Sequence, residues 1–103
     1  MLKKFFVYQR ALKFYKATRG LKFGNIALQD QFERASLSIV LNLSEGSGKP
    51  TRKDKAKYYA IAFGSLREVQ TLLDILDHSP LANEADQLGA LIFRLIQSPG
   101  GRS

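Results

Sequence analysis

An all-α fold, an antiparallel up-down four-helix bundle, is the architecture this sequence predicts, and three observations predict it. Apolar residues recur at three- and four-residue steps in four windows, breaker residues separate those windows, and no window alternates apolar with polar residues as a half-buried strand would. Amphipathic helices joined by short connections close a common core most simply by packing antiparallel.

The first helix is read over residues 3–19, where Phe5, Tyr8, Leu12 and Tyr15 share a broad face with Val7, Ala11 and Phe14. The opposite arc carries Lys3, Arg10, Lys13 and Lys16, with Phe6 out of place among them. Gly20 and the Gly24-Asn25 pair break the chain before a second helix, Ala27 to Ser44, whose stripe is Leu28, Phe32, Ala35 and Ile39, with Leu37, Val40 and Leu41 alongside. The third has the clearest start: Pro50, then Thr51 as N-cap, then Asp54 near the first-turn amides. It runs to about Leu76, with Tyr58, Ala62, Ser65, Val69 and Leu72 inward and Ile61, Leu66, Leu73 and Ile75 widening the stripe, and "DHSP" ends it. A fourth, shorter helix follows Asn83 as cap, with Ala85, Leu88, Leu91, Ile92 and Leu95 inward. The expected domain is residues 1–97, with a disordered tail at 98–103.

At 103 residues and 45% hydrophobic composition the chain makes one domain, of a size that self-association would help. It contains no cysteine, which excludes disulfides, thiolate metal sites and cysteine nucleophiles. The basic-then-apolar start superficially resembles a signal peptide, but Gln9, Arg10, Lys13 and Lys16 interrupt the apolar run; no run reaches membrane-spanning length, and a cytoplasmic protein is expected.

The net charge of +7 is unevenly placed. Residues 1–24 hold seven Lys/Arg and no acid; residues 49–57 hold Lys49, Arg52, Lys53, Lys55 and Lys57 against Asp54; the two other stretches are each slightly acidic. The basicity therefore lies in two blocks.

"GSGKPT" at residues 46–51 invites a phosphate-loop reading, and spacing rejects it. The motif needs a glycine where Leu43 stands, a Ser or Thr where Pro50 stands, and a strand before it where the pattern is helical. Gly46 and Gly48 are expected instead to allow left-handed backbone at the end of helix two, with Pro50 opening helix three. No catalytic residue is assigned. A serine nucleophile needs a base, and the single histidine, His78, is read as a surface residue at a helix C-terminus with no orienting partner. Glu68, Asp74 and Asp77 lack the Glu-x-x-His pairs of di-metal bundles, so no metal or cofactor is expected. The "NLS" sequon at residues 42–44 falls inside a helix and is set aside.

The run "QFERASLSIVLNLSEGSGK" followed by "YYAIAFGSLREVQTLLDI" resembles the four-helix bundle proteins encoded in intervening sequences of bacterial 23S ribosomal RNA genes. Gln31, Arg34, Ala35, Ser38, Ile39, Asn42, Glu45 and Gly46 match the family's first motif, and Ala62, Gly64, Ser65 and Glu68 its second; the resemblance spans roughly residues 3–95. It implies an up-down bundle assembled as a homopentamer, without enzymatic activity, related to retroelement accessory proteins thought to bind nucleic acid and a reverse transcriptase. The short fourth helix and a Phe23-Gly24 connection without proline depart from the family pattern.

Each motif residue also has a structural reading. Asn42 and Glu45 are expected to cap a neighbouring helix or pair with a basic residue such as Arg34, Gly64 to permit close helix packing, and Ser65 to face Ser38. The functional expectation rests on the basic residues Lys3, Arg10, Lys13, Lys16, Lys49, Arg52, Lys53, Lys55 and Lys57, as a surface for RNA or DNA phosphates whose two blocks could merge at one bundle end. Phe6, and Tyr59 if exposed, would add stacking on unpaired bases. The competing expectation is an oligomeric scaffold that docks a protein partner through exposed aromatics.

Overall fold

The computed structural model describes residues 2–102, the Lys3 side chain excepted. A 3-10 turn, Leu2–Lys4, leads into α1 (Phe6–Thr18), followed by α2 (Ile26–Ser47), α3 (Arg52–Leu76) and α4 (Ser79–Gln97). α2 packs on α3, α3 on α4, and α1 against both α2 and α4, which closes the four into a bundle measuring 45 × 22 × 21 Å. Contacts across the two short corners are those of antiparallel neighbours. Ser38 meets Ser65 across the α2–α3 corner, Gln70 meets Asp86 across the α3–α4 corner, and Arg10 of α1 reaches Glu84 and Gln87 of α4.

The caps explain the boundaries. Asn25 Oδ1 accepts from the Leu28 amide at 3.1 Å, so α2 starts one residue before the predicted Ala27. Gln29 stitches the preceding connection without a proline: its amide donates to Leu21 O at 2.9 Å and its carbonyl oxygen accepts from Phe23 N at 3.0 Å. Thr51 caps α3 as expected, its hydroxyl accepting from Asp54 N at 3.2 Å. Asp77 then turns left-handed (φ 59°, ψ 45°), and the His78 and Asp77 amides bond back to Leu73 O and Asp74 O, a Schellman closure of α3.

That closure corrects two expectations. His78 does not trail α3; it is the N-cap of α4, its Nδ1 accepting from Leu81 N at 3.2 Å. With His78 as cap and Pro80 in the first turn, α4 begins before Asn83 and runs for 19 residues, longer than the 13 of α1, so the fourth helix is not short.

The core takes Val7, Ala11 and Phe14 from α1, Phe32, Ile39 and Leu43 from α2, Leu66, Val69 and Leu73 from α3, and Ala85, Leu88 and Ile92 from α4. Tyr59 is also buried, at 3% exposure, which removes it as a stacking platform. Four apolar residues assigned to the stripes face outward instead: Leu37, Leu41, Ile61 and Ile75. The broad apolar arcs of α2 and α3 are wider than a four-helix core can cover.

Two glycines also act otherwise than expected. Gly46 is helical and Gly48 is right-handed (φ −87°), so neither uses left-handed backbone. Gly46 is required by proximity: a Cβ there would lie 2.6 Å from the Tyr59 ring. Gly64, expected to allow close packing, faces open space, with no atom within 4 Å of a Cβ position. Where a disordered tail was expected, residues 98–102 fold back over the α2–α3 corner. Arg102 N donates to Pro50 O at 2.9 Å, and its carbonyl accepts from Arg52 N. Gly101 (φ 79°) makes this fit, since a Cβ there would stand 2.8 Å from the Lys55 chain.

Candidate nucleic-acid interface

The basic residues divide into those held by the fold and those facing solvent. Arg10 is held: its guanidinium lies 3.6 Å from Glu84, donates to Gln87 Oε1 at 3.1 Å, and sits 5.8 Å from the centre of the Phe6 ring. It fastens α1 to α4, and it explains the misplaced Phe6, an exposed ring serving as the platform for its own helix's cation. Lys55 is held too. Its Nζ donates to Ser47 O at 2.9 Å and Gly46 O at 3.5 Å, satisfying carbonyls at the negative end of the α2 dipole.

Lys49 pairs with Glu45 at 3.1 Å and lies 5.1 Å from the centre of the Tyr58 ring. Its hydrogen bond to the Glu45 carboxylate, and secondarily the Tyr58 hydroxyl, raise its pKa above the usual lysine value. Glu45 thus takes Lys49, not Arg34, as its partner; Arg34 forms an exposed pair with Asp30 at 3.4 Å. Arg52 donates through Nε to Gly101 O at 3.3 Å and fixes the tail.

Lys13, Lys16, Lys53 and Lys57 are exposed, and none has a hydrogen bond or ion pair among the described residues. Lys57 lies 5.9 Å from the Tyr58 ring centre. The side chain of Lys3 lies outside the described set. Lys4, not singled out from sequence, is exposed and shares a cleft with Lys55, which brings the start of α1 to the corner. The two basic blocks touch there. Lys13 and Lys16 stand further along α1, Lys16 about 15 Å beyond its first residue at 1.5 Å rise per residue.

The motif residues line the outer seam between α2 and α3. Ser38 and Ser65 hydroxyls are 2.7 Å apart, as expected, and Asn42 Nδ2 donates to Ser38 O at 2.9 Å and Ser38 Oγ at 3.1 Å. Arg34, Glu45, Gly64 and Glu68 are exposed around that pair, with Leu37, Leu41 and Ile61 beside them, while Gly46 is buried beneath the corner. Ala35, Ile39, Gly46 and Ala62 of the pattern are buried, while its polar members and Gly64 are exposed or half-buried. Helical spacing gathers these residues on one face but does not say which way the face points.

Among the described residues, no helix is long and apolar enough to cross a membrane. The family described as 23S rRNA-intervening sequence protein matches residues 3–96. No curated protein and no solved structure matches the chain closely enough to extend that comparison.

Proposed function

The chain belongs to the 23S rRNA-intervening sequence protein family, and on that premise we propose that it is a non-enzymatic, homo-oligomeric module that binds nucleic acid through phosphate contacts. The observation that carries this reading is that four of the lysines expected at the interface, Lys13, Lys16, Lys53 and Lys57, are exposed with no hydrogen bond or ion pair among the described residues, on a chain of net charge +7. Cations held in internal contacts exchange little when a polyanion arrives. Free ones release condensed counterions from the nucleic acid and gain affinity without reading sequence. Arg10, Lys49 and Arg52 position helices and tail, and contribute long-range field more than direct contacts.

A second reading is favoured by the exposed Leu37, Leu41 and Ile61 around the Ser38–Ser65 pair. These would be covered in a self-assembled ring, the pentamer that the family resemblance implies, and the protein would then serve as a scaffold for a protein partner. The two readings share the oligomer and part on the ligand.

Binding of a labelled single-stranded RNA and a duplex DNA across a salt series, with oligomeric mass measured in the same buffers, tests them. Affinity that falls steeply with salt supports the phosphate-binding reading. An assembled oligomer that binds neither nucleic acid at low salt excludes it and leaves the scaffold.

A further inference from the structure

The bundle end where α1 and α3 begin is indented by a cleft of about 460 Å³, within the range of small-ligand sites. Its walls come from Lys4, Phe5, Ser47, Lys55 and Tyr59, with the tail from Pro99 to Gly101 along one side. Among the described residues, no carboxylate lines it. Phe5 and Tyr59 stand 6.0 Å apart between ring centres, tilted at 52°, and form an aromatic wall.

Tyr59 makes this more than a surface dent. The residue is 3% exposed, and its hydroxyl has no hydrogen-bond partner among the described residues. A buried phenol ordinarily finds one. Tyr59 nonetheless forms part of the cleft lining. Burial raises its ionisation above the usual tyrosine value, so at neutral pH the group is a donor. Lys55 has two protons committed to α2 carbonyls and a third unused, and Lys4 makes no ion pair among the described residues.

We propose that this cleft binds a nucleotide phosphomonoester, its phosphate received by Lys4, Lys55 and the Tyr59 hydroxyl and its base or sugar lying on the Phe5 wall. Two ammonium groups and a neutral hydroxyl, with no acid opposite them among the described residues, match a dianionic phosphate. The apolar side of the cleft matches the flat remainder of a nucleotide better than it matches bare inorganic phosphate. The ligand is the end of a bound strand or a free mononucleotide; the first form rests on the nucleic-acid reading above, and the second does not.

The test compares a single-stranded RNA carrying a 5′-phosphate with the same RNA ending in a 5′-hydroxyl, and measures AMP binding separately, all on the full chain at one salt concentration. Wild-type protein is expected to prefer the phosphorylated strand by roughly tenfold, the size of one charge-assisted hydrogen bond. Tyr59→Phe, which keeps the core volume, and the surface change Lys4→Gln should each remove most of that preference, with Tyr59→Phe leaving the hydroxyl-ended strand bound as before. AMP binding weakened by the same two substitutions, without any strand-end preference, identifies the free mononucleotide. A wild-type protein that binds both strands equally and does not bind AMP overturns the cleft and leaves the basic surface standing. AMP binding without strand binding does the reverse.

Discussion

Gly46 and Gly64 respond in opposite directions to an added methyl group. At Gly46 the methyl meets the Tyr59 ring at 2.6 Å, and that ring is itself buried, so Gly46→Ala should destabilise the bundle by about 1–3 kcal/mol, read as a lower urea midpoint. At Gly64 the methyl meets nothing within 4 Å, and Gly64→Ala should stabilise the subunit by up to about 1 kcal/mol through helix propensity. Ser36 is a third case. Its hydroxyl is buried on α2 without a partner, so Ser36→Ala is expected to raise stability by about 1 kcal/mol in the same measurement. Sequence placed Gly64 and Ser36 on helices and Gly46 at the corner after one, but it could not tell a glycine under a ring from one facing open space. That distinction is made by the neighbouring helix. The Ser38–Ser65 contact was legible because both residues belong to the paired motifs on the two helices that the α2–α3 corner folds together.

At the scale of elements, legibility followed how local each signal is. Thr51 was readable as a cap because Thr, then Asp three residues on, is a self-contained pattern. His78 was not, since histidine is an unusual N-cap and Asn83 offered a better-known one; Leu81 and Pro80 nevertheless sit so that α4 starts at Ser79. The tail shows a related contrast. "SPGGRS" has the composition of a flexible end, but its positive-φ glycines turn it back onto Pro50 and Arg52. Lys55 shows how an element-scale role hides in a charge run: it closes the carbonyl end of α2 from the second turn of α3. Lys55→Gln should therefore destabilise the bundle by about 1 kcal/mol in denaturant unfolding, whereas Lys53→Gln, with no partner to give up, should leave stability within about 0.5 kcal/mol.

For the whole molecule, the bundle was legible because apolar periodicity alone fixes four helices, while the interface was legible only as a total of charge. Sequence counted the cations; the fold decides which are already engaged. Arg10, Lys49, Arg52 and Lys55 looked equivalent to Lys13, Lys16, Lys53 and Lys57, and the difference lies in Glu84, Glu45, the tail and the end of α2. The buried phenol carries a consequence at high pH. Because Tyr59 ionises less readily in the fold than its unfolded value of 10.0, the unfolded chain loses that proton first as pH rises. Stability should therefore fall with pH above about 10, with a shallower fall in Tyr59→Phe, measured by urea midpoints on either side of that pH.

The division between engaged and free cations is tested most directly by the salt slope of RNA binding in two variants. One replaces Lys13, Lys16, Lys53 and Lys57 with glutamine, and the other replaces Lys49 and Arg52, both held in internal contacts, with melting curves confirming that each stays folded. The account predicts that the first variant flattens the slope of log affinity against log salt by roughly 0.7 for each phosphate that is no longer neutralised, and that the second changes it little. A wild-type slope retained in the first variant and abolished in the second would contradict it.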